Sequence, residues 1–201
     1  MQVYRSVSLI GENMGRLTPR EHIINTAIEL FREYGYHATG VDRIINEAGV
    51  SKKTLYTHFR SKEELLIAAL RHYDGVFRNN FMRKVDQLAK SPQKKLLVIF
   101  DVAQDWFSQN KFFGCMFINI IGEYSKKNSP IRTICQQFKQ LMRAYFKELC
   151  VQAGVKEPDA LADKLALLFE GAVVTSQVSQ KPQAAKTAKD IARSLIAQMP
   201  G

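Results

Sequence analysis

Apolar residues recur along most of this chain at three- and four-residue spacing, the period of helices that bury one face. The first strong run is Ile23, Ile24, Ala27, Ile28, Phe31 and Tyr34. Before it stands Thr18-Pro19-Arg20-Glu21: a capping threonine, a proline suited to the first helical position, and a glutamate that completes a capping box. Gly35 follows where a helix commonly ends on a left-handed residue. Thr39-Gly40-Val41-Asp42 is a second cap signal, opening a run of Val41, Ile44, Ile45 and Ala48 that stops at Gly49. Ser51 caps a short third segment with Leu55 and Phe59 one turn apart on its inner side. Ser61-Lys62-Glu63-Glu64 reads as another capping box. It launches a long helix over 62–89 with the stripe Leu66, Leu70, Tyr73, Phe77, Phe81, Val85 and Leu88, about 40 Å long at ~1.5 Å per residue.

The same signals continue to the end. Ser91-Pro92 opens a helix reaching about residue 109, and the aromatic-rich stretch 111–122 reads as a turn and a short helix. Ser129-Pro130 starts a helix carrying Ile131, Ile134, Phe138, Leu141, Tyr145 and Leu149, closed by Gly154. Pro158 begins one over about 158–178 with Leu161, Leu165, Leu168 and Ala172. A last one over about 185–199 carries Ala188, Ile191, Leu195 and Met199. No stretch alternates as a strand does, so the expectation is an all-α fold of about nine helices. Residues 1–17 show no helical period and are expected to form a flexible arm; Met14, just before the first strong signal, is a candidate start.

The 201 residues are 46% hydrophobic and 24% charged, which gives enough apolar material for a true core. A net charge of +10 suits nucleic acid, an anionic membrane or acidic ligands. Its location does not mark a DNA-binding end. Residues 1–64 carry nine Lys/Arg against eight Asp/Glu, whereas 65–150 carry fourteen against six. The three cysteines, Cys115, Cys135 and Cys150, form no CxxC pair, and buried free thiols in a reducing compartment are the expectation; a redox role is the alternative. No apolar run approaches the ~18 residues of a membrane span, and the first 17 residues lack a signal-peptide core and cleavage site. The reading is a cytoplasmic protein without membrane association.

The chemistry lies in the short segments around Gly49. Two brief helices joined there, the second capped by Ser51, have the helix-turn-helix form. Burying Leu55 and Phe59 leaves Lys52, Lys53, Thr54, Tyr56 and Thr57 pointing away from the core. A helix fits the major groove of B-DNA, lysine donates to guanine N7 and O6, and hydroxyls reach phosphates and bases. Helix N-termini also favour phosphate, which places Thr39 and Ser51 near the backbone.

The residues Ala27-Ile28-Glu29-Leu30-Phe31, Tyr34-Gly35-Tyr36, Thr39, Ile44, Ala48 through Phe59 and Ser61-Lys62-Glu63-Glu64-Leu65-Leu66 resemble the N-terminal domain of TetR-type repressors over about 18–70. Two positions depart from that pattern: Gly40 stands where Thr or Ser is common, and Lys53 where a small residue is frequent. The resemblance implies a three-helix DNA-binding domain over 18–64, with its motif at about 40–59, followed by a helical regulatory and dimerisation domain over 65–201. It further implies that Thr39, Lys52, Tyr56, His58 and Lys62 touch the DNA backbone. Lys53 and Thr54 are the candidates for reading bases, with Ser51 and Thr57 completing the set. Also implied are a homodimer joined by the last two helices, through Leu161, Leu165, Leu168, Ala172, Ile191 and Leu195, a near-palindromic operator, and release of DNA when a small-molecule effector binds.

Candidate effector-binding residues are Phe100, Trp106, Phe107, Phe113, Met116, Phe117, Glu123, Tyr124, Phe138, Met142, Tyr145 and Phe169; the same aromatics and methionines also suit an ordinary core. Glu123 and Glu170 suit a cationic compound if buried. Catalysis finds no support: there is no Gly-rich phosphate loop, HExxH or nucleophile elbow, and His22, His37, His58 and His72 lack metal-ligand spacing. No metal and no cofactor are expected. The leading reading is a ligand-responsive repressor; the alternative is an activator or helical interaction module using the same DNA-binding head.

Overall fold

The computed structural model describes residues 17–124 and 128–198, so the expectations for the N-terminal arm, for Met14 and for Met199 lie outside the described residues. Among those described are nine helices and no strand. They are α1 (Pro19–Tyr34), α2 (Val41–Ala48), α3 (Lys52–His58), α4 (Lys62–Leu88), α5 (Pro92–Phe107), α6 (Met116–Glu123), α7 (Pro130–Gln152), α8 (Pro158–Ser179) and α9 (Gln183–Gln198). The chain divides into two compact units, Met1–Asn80 with Asn119–Cys135, and Phe81–Ile118 with Gln136–Gly201.

In the first unit, α1 is packed against α2 and α3. Its core joins Ile23, Ile24, Ala27, Ile28 and Phe31 to Ile44, Ala48, Leu55 and Phe59, all essentially buried. Each such large side chain contributes ~1.5–3 kcal/mol on burial. The α1 capping box forms as expected: the Thr18 hydroxyl accepts from the Glu21 N–H, and the Glu21 carboxylate accepts from the Thr18 N–H at 2.9 Å. Gly49 closes α2 in the left-handed region at φ 61°.

Two caps differ from the sequence expectation. At α2 the capping residue is Gly40 and no side chain caps it. The Thr39 hydroxyl instead turns inward, donating to the main-chain carbonyls of Gly35 (2.7 Å) and Leu30 (3.3 Å). At α4, Ser61 Oγ accepts from the Glu64 N–H at 3.1 Å, but the Glu64 carboxylate reaches the N–H of Arg60, one residue before the cap, at 2.8 Å.

In the second unit, α9 packs against α5 and α8. Its buried positions are all alanine (Ala185, Ala188, Ala192), which lets the helix backbones approach closely. The α8 face turned to that core carries Leu161, Leu165, Phe169, Ala172 and Val173. This corrects the dimer-interface expectation. Leu161, Leu165 and Ala172 are buried inside the protomer, Leu168 and Leu195 are half-buried, and of the six only Ile191 is exposed, at 44%. The exposed apolar stripe of α8 is Leu167, Val174 and Val178, with Gly171 between them. A helix apolar on two sides buries one face at home and leaves the other for a neighbour, and simple period counting picked only one of the two.

Candidate nucleic-acid interface

The seven-residue α3 is held at both ends. Ser51 Oγ accepts from the Thr54 N–H at 3.0 Å, and the Phe59 N–H returns to the Leu55 carbonyl at 2.9 Å. Between these ends Leu55 is fully buried, and Phe59 just after the helix is 1% exposed. With that side anchored, Ser51, Lys52, Lys53, Tyr56 and Thr57 face solvent, while Thr54 and His58 are half-buried.

The hydroxyls differ in what they have left to offer. The Thr57 O–H donates to the Lys53 carbonyl at 2.8 Å, so toward a phosphate it retains only lone pairs. Ser51 Oγ and Thr54 Oγ1 lie 2.9 Å apart and bond each other. No carboxylate among the described residues is paired with Lys52 or Lys53. Tyr56 is 44% exposed, an apolar ring with a polar tip at the surface. These three form the strongest donor set on the helix.

Two expected contacts are placed elsewhere. Thr39 is fully buried with its hydroxyl engaged by carbonyls, so in this geometry it has no proton to give a phosphate. Lys62 is half-buried; its ammonium donates to the Tyr36 carbonyl and lies 4.1 Å from the Tyr36 ring centroid. Burial pulls its pKa down against the opposing pull of Glu123. Both residues build the head from within. Nearby, the Arg43 guanidinium of α2 stacks 3.5 Å from the centroid of Tyr34, a surface cation that pattern reading did not single out.

Glu123 and Tyr124, read from sequence as effector-binding residues, belong to the first unit. The Glu123 carboxylate accepts the main-chain N–H of Tyr36 (2.9 Å) and of His37 (2.7 Å), which leaves it poorly suited to an effector. Burial and the nearby Glu63 push the Tyr124 hydroxyl up to about 12.

The other candidates fall in the second unit, where Phe100, Trp106, Phe107, Met116, Phe117, Phe138, Met142 and Phe169 are buried and Phe113 is half-buried. Phe117 and Phe138 stack at 3.8 Å, and Trp106, Phe107 and Phe112 form an aromatic group with centroids 4.9–5.5 Å apart. Phe112, in the irregular segment before α6, was not singled out by sequence reading, although its neighbour Phe113 was. Tyr145 keeps a buried hydroxyl with no hydrogen-bond partner among the described residues, and burial raises its pKa above the usual phenol range. Glu170 pairs with Lys139 at 3.3 Å. Among the described residues no group of three or more His, Cys, Asp or Glu side chains is placed to hold a metal ion. No described helix is long and apolar enough to cross a membrane.

Comparison with known proteins agrees with this geometry. Residues 23–69 match the family described as bacterial regulatory proteins, tetR family, and residues 92–191 match the C-terminal domain of LmrA/YxaF-like transcriptional regulators. An uncharacterized HTH-type transcriptional regulator of Bacillus subtilis, YxaF, is 28% identical over 160 residues, 78% of this chain and 84% of its own. The HTH-type transcriptional activator FasR of Mycolicibacterium smegmatis is 45% identical over 71 residues, 33% of this chain and 32% of its own. The crystal structure of SCO4454, a TetR-family transcriptional regulator from Streptomyces coelicolor, superposes with a TM-score of 0.83 at 24% identity, covering 90% of this chain and 95% of that one.

Proposed function

We propose that this chain, which belongs to the TetR family of bacterial regulatory proteins, is a ligand-responsive repressor that binds a near-palindromic operator as a homodimer. The family is one of DNA-binding regulators, and the chain is a transcriptional regulator with a helix-turn-helix head rather than an enzyme. One observation carries the reading: a seven-residue helix anchored through Leu55 and Phe59 turns Lys52, Lys53 and Tyr56 to solvent. Ammonium groups in that position donate to guanine edges or neutralise phosphates.

The exposed stripe of Leu167, Val174 and Val178 on α8, with Ile191 on α9, supports the dimer. Apolar surface of this kind costs free energy in water, and a twofold copy of the same face covers it symmetrically. Two heads then address two half-sites. For regulation, the aromatic interior of the second unit suits a small, largely apolar effector. Such a ligand lowers operator affinity about 5–150-fold if it binds the non-DNA-binding arrangement better by ~1–3 kcal/mol.

Repression needs only occupancy of the operator and release from it, whereas activation needs a further surface for the transcription machinery. The match to an activator spans a third of this chain and is too short to include all the regulatory helices. A single-promoter transcription assay tests the choice. With a bound operator overlapping the promoter, transcript should fall as the protein is added; a rise would make it an activator.

A further inference from the structure

The Tyr36–His37 peptide segment, between α1 and α2, is gripped by two groups far away in sequence. The Glu123 carboxylate takes both consecutive N–H groups, at 2.9 and 2.7 Å, and the His37 ring Nε2 donates back to the Glu123 main-chain carbonyl at 3.0 Å. From the start of α4, the Lys62 ammonium donates to the Tyr36 carbonyl. Tyr124 lies parallel to the His37 ring, 13° apart in plane and 6.4 Å between centroids. The residue before the grip is Gly35, at φ 84°; a Cβ there would meet Glu123 Oε1 at 2.7 Å, so the turn is shaped to admit the carboxylate. Three residues beyond Tyr36 comes Thr39, whose N–H donates to the Tyr36 carbonyl and whose buried hydroxyl ties the turn back to the end of α1, two residues before α2 begins at Val41.

We propose that Glu123 is a positioning residue for DNA binding: its carboxylate clamps the α1–α2 turn and so fixes α2, and with it α3, in the arrangement that meets the groove. A carboxylate is the fitting group, because two N–H donors converge on it and an ionised acceptor makes stronger hydrogen bonds than a neutral one. Glu123 sits in the same compact unit as the head, although it lies 87 positions along the chain from Tyr36. This rests on the DNA-binding role of the head.

The test uses the full chain and its variants Glu123→Gln, Glu123→Ala and Glu123→Asp. Glu123→Gln preserves size but sets an NH2 against an N–H donor. Three readouts are taken: hydrogen exchange of the Tyr36 and His37 amides, thermal melting, and affinity for a duplex that the wild type retains from a random pool. The clamp predicts faster exchange at those two amides in the Gln and Ala variants, with α8 and α9 amides unchanged. It also predicts about a five- to thirtyfold loss of duplex affinity without loss of the cooperative melt. The Asp variant, which keeps the charge on a shorter arm, should recover part of the affinity. Affinity within about twofold of wild type in both Gln and Ala variants, or unchanged exchange at Tyr36 and His37, overturns the proposal. If the wild type retains no duplex, the DNA-binding reading fails as well; wild-type binding with unaffected variants removes the clamp alone.

Discussion

Single side chains on α3 are not equivalent in what they can offer DNA. Lys53 stands exposed with no carboxylate among the described residues paired to it, so Lys53→Ala should weaken binding and relax base preference at one position of the site, by ~1–3 kcal/mol. Lys52→Ala, if that ammonium meets only phosphate, should weaken all sequences alike and lower the salt slope of binding by about one. Binding titrations at several salt concentrations separate the two. A different residue-scale prediction concerns Cys150, buried and with its thiol pushed up to about 11 by that burial. Because the folded pKa lies above the ordinary one, the neutral thiol is favoured in the folded state. That contribution to stability is complete below the ordinary thiol range and is lost as pH climbs toward about 11. At pH 8 a thiol reagent should therefore leave Cys150 unlabelled in the folded protein and label it once denatured; rapid labelling of the folded chain would contradict the assignment. The residues of α3 were readable in advance because their neighbours in sequence are also their neighbours in space. Thr39 and Glu123 were not. The choice of Thr39 between capping and bonding inward depends on carbonyls presented by the end of α1, and the partners of Glu123 lie 86 and 87 residues away.

At the scale of helices, starts and stops were legible because capping chemistry is local: Thr18, Ser51 and Ser91 each accept from a backbone N–H three residues on. Which face a helix buries was legible only where one face is polar. On α3 a single pair of large apolar residues left no choice. On α8 both Leu165 and Leu167 are apolar, and only packing against α5 and α9 distinguishes them. The two leucines should therefore respond oppositely. Leu165→Ala, at a fully buried site, should cost ~2–5 kcal/mol of stability in denaturant unfolding. Leu167→Glu, at a site 74% exposed, should leave protomer packing intact and shift the sedimentation of the protein from dimer to monomer. A dimer that survives Leu167→Glu together with Val174→Glu would move the interface elsewhere.

For the molecule as a whole, the charge distribution and the fold tell different stories. The excess of positive charge lies in 65–150, almost wholly beyond the residues that resemble a DNA-binding domain, so the proposed function rests on the placement of a few cations rather than on bulk charge. Two copies joined through α8 and α9 would present two such heads to successive major grooves, about 34–36 Å apart or a multiple of that. The most direct measurement is recovery of duplexes from a random pool by the purified chain at low salt, followed by sequencing. Retained duplexes should share two inverted half-sites at a fixed spacing, and binding should be lost on substitution of Lys52, Lys53 and Tyr56 together. Recovery of no duplex, or of duplexes equally well retained by the triple variant, would contradict the assignment of α3 as the element that meets DNA.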